Sequence, residues 1–313
     1  MQNELKNIAG KIFCSVCDGY EAFVLAKAAE SHKHLLFVAS DGNGARQTAS
    51  MLRFLCPELK VLDFPAWDTV PYDRVSPNSI VIAERVNTLS QLVFADEKEK
   101  IVVVTSVGAL IQKLAPAKVF INAKKRLKVG ENLEFNSFLH YVSVNGYTRV
   151  EQVMEAGEYA VRGDIVDIFP SGAENPLRID LFDEQIERIR FFDAVSQRTI
   201  GDINEYVMQA ANEVVLDDNT VRCFRQKYRE LFGADGLKDE LYEAVSNRRK
   251  YIGMENWLPL FYEEKLNGLL NYMPDATIIC GKNVSDALKN KAESIADYYA
   301  ARNEALQIKK YGD

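Results

Sequence analysis

Residues 157–189 read GEYAVRGDIVDIFPSGAENPLRIDLFDEQIERI. This pattern predicts a strand, a Ser-Gly turn region, a second strand, an acidic turn and a third strand. Alternation in the middle strand puts Leu177, Ile179 and Leu181 on one face and Arg178, Asp180 and Phe182 on the other. The first set makes an ordinary core face. The second carries a phenylalanine among charges, where solvent is expected. A single exposed aromatic is normal on a protein surface. An aromatic beside an aspartate and an arginine on one sheet face has the composition of a protein-binding hot spot. Pattern alone leaves two readings open: a partner surface, or a face covered by another part of the same domain.

The whole chain sets the limits. Its 313 residues are 47% hydrophobic, enough for a sizeable core and about two domains. Charged residues make up 27%, with both signs mixed, which suits a soluble globular protein. Thirty-eight basic against 45 acidic residues give a net charge of -7. A module gripping DNA through its phosphates would usually show a basic surplus, so the balance favours a protein partner. No apolar run is long enough to span a membrane, and the N-terminus lacks a signal-peptide core. Five scattered cysteines suit a reducing, cytoplasmic setting. Cys14 and Cys17 form a C-x-x-C without a second pair or a nearby histidine, which reads as a buried strand end rather than a metal site. The three histidines, His32, His34 and His140, make no catalytic cluster.

Outward from the opening stretch, the chain changes character twice. Residues 1–124 alternate strand and helix: strands at 12–16, 35–39, 60–64 and 101–105, helices at 20–30, 44–55, 81–94 and 107–114. That alternation predicts a parallel α/β sheet. The basic run Lys124-Lys125-Arg126-Leu127-Lys128 marks a boundary and reads as a solvated edge. Residues 125–205 predict an inserted α+β domain with antiparallel strands, opening with a helix at 135–144 that stops at Asn145-Gly146. Arg162-Gly163-Asp164 reads as a strand with a glycine bulge. Residues 206–313 return to mixed α/β and are expected to complete the first domain. They carry a strand-like run at 205–216, a helix at 221–232, a strand at 277–280 and a long helix at 285–306.

Between the first expected strand and helix lies Ser15-Val16-Cys17-Asp18-Gly19-Tyr20-Glu21-Ala22, where a nucleotide-binding α/β domain carries its phosphate loop. A working loop needs glycines to wrap the phosphates, a lysine to reach them and a hydroxyl for magnesium. Only Gly19 remains. Glu21 stands where the lysine should be and Ala22 where the hydroxyl should be, so an anion faces the place of the phosphate charge. Productive ATP binding is not expected. Asp41-Gly42-Asn43-Gly44 is a weaker glycine loop of ordinary turn chemistry.

Several motifs together carry a family resemblance. They are FPAWDTVPYD (64–73), Ser76-Pro77, Glu84-Arg85, Gly146-Tyr147, QVME (152–155), GEYAVRGDIVDIFP (157–170), LRIDLFD (177–183), Asp193 and SQRT (196–199), with a weaker match at ENWLPLF (255–261). The chain resembles the N-terminal, UvrB-like module of bacterial transcription-repair coupling factors (Mfd). The resemblance covers essentially the whole chain and is most specific at 60–200. It implies a helicase-like α/β domain in two sequence segments, split by an insert that docks the damage-recognition ATPase UvrA. The family's docking residues fall on Arg162, Arg178 and Phe182. UvrB has an intact phosphate loop and a long DNA-probing hairpin. Here Glu21 and Ala22 remove the first, and Ser76-Pro77 runs almost straight into the helix at 81–94, leaving no room for the second. The implied function is recruitment of UvrA to stalled RNA polymerase, with no catalysis or cofactor in these residues. ATP, magnesium, DNA and polymerase would engage motor and polymerase-binding domains outside them, so the chain reads as a fragment of a longer protein. The rival expectations are an ATP-dependent DNA translocase, or direct DNA binding through Lys124, Lys125, Arg126 and Lys128.

Overall fold

A computed structural model describes residue 17, residues 19–96 and residues 98–311. In chain order its elements are α1 (Glu21–Ala29), β1 (His34–Ala39), α2 (Gly42–Leu55), β2 (Lys60–Phe64), α3 (Ser79–Val93), β3 (Ile101–Ser106) and α4 (Val107–Leu110). They continue with α5 (Ala117–Ala123), β4 (Lys125–Lys128), α6 (Phe135–Val144), β5 (Thr148–Arg149), β6 (Glu158–Arg162), β7 (Ile165–Ile168), β8 (Leu177–Phe182) and β9 (Gln185–Phe192). The last are β10 (Thr199–Ile203), β11 (Glu205–Met208), α7 (Asp218–Phe232), α8 (Glu240–Ser246), α9 (Leu258–Phe261), α10 (Leu269–Tyr272), β12 (Thr277–Cys280) and α11 (Val284–Tyr311). The strand expected at 12–16, and Cys14 with it, lies outside the described residues. Cys17, expected at a buried strand end, is exposed.

The contacts divide the chain into two compact units. The first takes in the described residues of Met1–Asp73, Ala95–Lys113 and Gly268–Asp313. Its sheet is parallel, in the order β12-β1-β3-β2. A strand from the end of the chain therefore pairs with one from its beginning: Leu35 lies opposite Thr277 and Val38 opposite Cys280. β3 is buried along its whole length. Parallel strands covered on both faces read as continuous apolar runs, which is why IVVV at 101–104 carries no alternation. Leu25, Ala28, Leu35, Phe37, Ala49, Leu52, Val102 and Val104 form the core on the α1 and α2 side.

The second unit comprises Arg74–Phe94 and Leu114–Asn267. Its main sheet has six strands in the order β10-β9-β8-β7-β6-β5. All neighbours are antiparallel except the short β5–β6 pair. One face packs with α6 around Phe138, Val142, Val166, Ile168, Leu177, Ile179, Leu181, Ile186 and Ile189. α6 stops where expected, because Gly146 sits at φ +90 and a Cβ there would lie 2.6 Å from that of Asn212.

Four sequence expectations are revised. β6 and β7 form a hairpin, with Arg162 opposite Ile165 across a turn in which Gly163 takes φ +61, so Gly163 marks a chain reversal and not a bulge. The strand expected over 205–216 ends at Met208, since β11 has only β4 to pair with. The helix at 81–94, expected to cross over the parallel sheet, groups with the second unit as α3. Residues 206–267 also group there, so the two compact units cut the chain at other places than the three expected segments. The anchor for α3 is ionic. Arg85 is fully buried, and its Nε donates to Glu213 Oε1 at 2.8 Å. Removing one member of such a pair leaves a buried charge uncompensated. Glu213→Ala is expected to destabilise the second unit by about 3 kcal/mol or more, read from urea denaturation followed by circular dichroism.

Candidate docking face and a vacated phosphate loop

The turn joining β8 to β9 is Asp183-Glu184, with φ values of +45 and +63. Two residues at positive φ make the turn that matches strand twist in tight hairpins. It places Phe182 opposite Gln185. Residues opposite each other in antiparallel pairs share a face. One row across the sheet therefore reads Arg162, Ile165, Asp180, Arg188. The next reads Ala160, Asp167, Arg178, Arg190, Asp202. The three expected residues thus surround Asp180. Arg178 and Phe182 flank it along β8, and Arg162 stands two strands away, at about 9–10 Å.

The two open readings of this face are both realised, at opposite ends. Near β5 the face is covered. Phe192, Ala160 and Val153 form a small buried cluster with Val150 and Phe169 against them. Arg178 belongs to this end. Its Nε and Nη2 donate to Asp167 Oδ1 and Oδ2 at 2.6 and 2.8 Å, and its guanidinium carbon sits 4.7 Å from the centre of the Phe192 ring. Asp167 is only 2% exposed and Arg178 is half-buried. At the hairpin end Phe182 is 68% exposed. Arg162 is exposed and donates to the Glu151 carbonyl at 3.1 Å. Between them Asp180 accepts from Arg190, and Arg188 bonds Asp202 through both a 2.8 Å and a 2.7 Å contact. The result is an exposed aromatic at the hairpin end of a face on which Arg178, Arg188 and Arg190 are held by salt links to Asp167, Asp202 and Asp180, and bidentate arginine pairs are among the stronger polar contacts. Sequence reading missed Asp167 and Phe192. Alternation would have put Asp167 on the outer face, but nothing local signals that residues 150–154 cover it.

The basic run resolves into an edge strand. Lys124 Nζ lies 4.1 Å from the Phe94 ring centre and Lys125 Nζ lies 5.6 Å from that of Tyr141. Arg126 pairs with Glu131 and approaches Glu205 at 3.9 Å, Leu127 is buried, and Lys128 lies opposite Glu205.

In the first unit, Gly19 takes φ +83, Glu21 opens α1, and Ala22 is buried. Gly19 and Glu21 line a cleft of about 930 Å³ with Ser40, Gly44, Arg46, Met51, Gly281 and Lys282. The cleft lies beyond the carboxyl ends of β1 and β12, where open α/β sheets hold ligands. Its helix N-termini carry their own anions. Glu21 sits in the first turn of α1, and Asp41 caps α2 by accepting from Asn43 N and Gly44 N at 2.9 Å each. Among the described residues no group of histidine, cysteine, aspartate and glutamate could hold a metal ion.

Residues 126–213 match the family described as UvrB interaction domain. That span holds Arg162, Arg178, Phe182 and the sheet that carries them. The chain is related to the transcription-repair-coupling factors. It is 34% identical to the coupling factor of Haemophilus influenzae over 270 residues, 86% of this chain and 23% of the relative. It is 30% identical to that of Escherichia coli over 296 residues, 94% of this chain and 25% of the relative. The chain thus spans about a quarter of the length of the curated relatives it matches. No helix among the described residues is long and apolar enough to cross a membrane.

The capping carboxylate offers a pH test. The hydrogen bond from Gly44 is the main cause that holds the Asp41 carboxyl below its ordinary pKa, against the opposing effect of partial burial. A lowered pKa means stability present above the unfolded value and lost as pH falls through the folded one. Asp41→Ala should cost about 1 kcal/mol near neutral pH. The gap from wild type should close in acid, as thermal melts at a series of pH values would show.

Proposed function

We propose that this chain is the recruitment module of a transcription-repair coupling factor, and that its outer sheet face docks UvrA for nucleotide excision repair at stalled RNA polymerase. The observation that carries this reading is Phe182. It stands exposed at the rim of an otherwise salt-linked face, inside the stretch that matches the UvrB interaction domain. A large aromatic among fixed guanidinium groups is the composition of an interface hot spot. Phe182 is the anchor and Arg162 the exposed charge partner for a carboxylate. Arg178 has a mixed role, since its fork is engaged by Asp167: it presents the face as much as it contacts the partner.

The chain itself performs no catalysis in this proposal. Glu21 and Ala22 stand where a phosphate loop would carry its lysine and hydroxyl, and Glu21 lines the cleft beyond β1. Translocation with ATP and magnesium, and the contact with polymerase, fall to other parts of a longer cytoplasmic protein. The α/β unit is then a helicase-like domain in two sequence segments. The pairing of β12 with β1 supports that organisation.

The test is co-elution and titration calorimetry with the cognate UvrA. Phe182→Ala and Arg162→Ala should each weaken binding by about 2 kcal/mol or more and leave the melting temperature unchanged. Arg178→Ala should lower both affinity and stability, because it strands Asp167. A triple variant that binds as well as wild type would sink the assignment. ATP turnover above background by this chain, with or without DNA, would sink the non-catalytic reading.

A further inference from the structure

α7 carries Arg222, Arg225 and Arg229 at steps of three and four residues, which places them on one side of the helix. With Ser246 and Arg248 at the end of α8 they line a surface groove of about 520 Å³. Its only other charged lining residues are Asp218 and Glu230. Asp218 is paired with Arg248, and Glu230 accepts from Gln226 at 2.9 Å. Arg222 donates to Asn219 and lies 3.7 Å from the exposed Glu263.

Arg225 and Arg229 are held differently. Arg229 Nε donates to the hydroxyl of Tyr242, a neutral group, at 2.7 Å, and Arg225 also acts on that hydroxyl. Tyr242 is buried, and burial by itself would raise its pKa, yet the two guanidinium groups bring it below the ordinary value. Ser246 Oγ is buried in the same groove with no hydrogen-bond partner. The groove thus offers guanidinium forks and a spare hydroxyl, which together call for an anion.

We infer that this groove takes the phosphate backbone of a nucleic acid. The three α7 arginines span about 10 Å at 1.5 Å per residue, longer than one isolated phosphate needs. Protein partners bind through buried apolar anchors. Among the lining residues only Val221 is apolar, and it is already buried beneath α7. A polar, evenly charged strand suits such a surface, and contacts to phosphate carry no sequence readout. The basic run at 124–128 is the weaker candidate, because Lys124 and Lys125 lie over aromatic rings and Arg126 is paired with Glu131 and near Glu205, with Lys128 exposed. The groove also lies outside the span matched by the UvrB interaction domain, so the inference stands apart from the docking proposal.

The test is fluorescence anisotropy of a labelled random-sequence duplex of about 20 base pairs with the 313-residue chain, from about 20 to 200 mM salt. Binding is expected at low salt, with log K falling against log salt at a slope of about -2 to -3. Arg225→Gln with Arg229→Gln should lower affinity at least about tenfold and flatten the slope by about 2, whereas the two lysine replacements keep most of the binding. Arg222→Gln leaves the Tyr242 contacts intact and should cost about threefold, so a folding defect in the double variant cannot hide the result. Absence of binding by wild type at low salt would overturn the inference. So would a loss that follows Lys124→Gln and Lys128→Gln instead of the arginines. Equal competition by poly-glutamate, charge for charge, would assign the groove to an acidic protein segment and overturn it as well.

Discussion

Burial of one whole face of the six-stranded sheet, and of only part of the other, is the constraint from which the candidate interface follows. Val166, Ile168, Leu177, Ile179, Leu181, Ile186 and Ile189 all enter one core. Strand side chains alternate with a period of two, so a slip of one residue would bury Arg178, Asp180 and Arg190 and expose that whole set. The register is therefore held by hydrophobic burial, and the outer face follows from it. Arg162, Asp180 and Phe182 point outward because their neighbours must point inward. The Asp167–Arg178 pair then uses the covered end of the face to fix a guanidinium that would otherwise be free to swing.

The two units keep chemistry and recognition apart. In the α/β unit the architecture of a ligand site survives: a glycine at positive φ, a helix start and a cleft beyond the strand ends. Glu21 lines that cleft together with Arg46 and Lys282, and Asp41 occupies the start of α2 as its cap. A helix N-terminus attracts anions through its free N–H groups and dipole, and a carboxylate already there satisfies both. In the other unit no comparable loop is needed. The candidate docking face rests on a sheet, which positions side chains more closely than a mobile loop can.

Much of this was legible locally. The sorting of β8, the stop of α6 at Asn145-Gly146 and the acidic hairpin turn all depend on neighbours in sequence. Two of the misreadings share one cause. The early end of β11 and the grouping of α3 with the second unit each depend on a partner distant in the chain, whereas the reversal at Gly163 is a local hairpin. β11 stops at Met208 because β4 ends opposite it. α3 is claimed by Glu213, far from Arg85 in sequence and invisible to any local pattern. The same holds for Asp167 and Phe192, whose covering segment comes from residues 150–154.

The sequence by itself determined which side chains share a face, where the tight turns fall, and that Glu21 and Ala22 open α1. Those properties are set by backbone periodicity and by chemical identity, and neither needs a partner. Only the tertiary structure decided how exposed each outward residue is. It left Phe182 open, spent Arg178 on Asp167 and Phe192, set most of the basic run against aromatic rings and acids, and left Arg225 and Arg229 with a tyrosine in place of a carboxylate. Burial and charge balance are sums over groups that meet only in space, and no local pattern contains them.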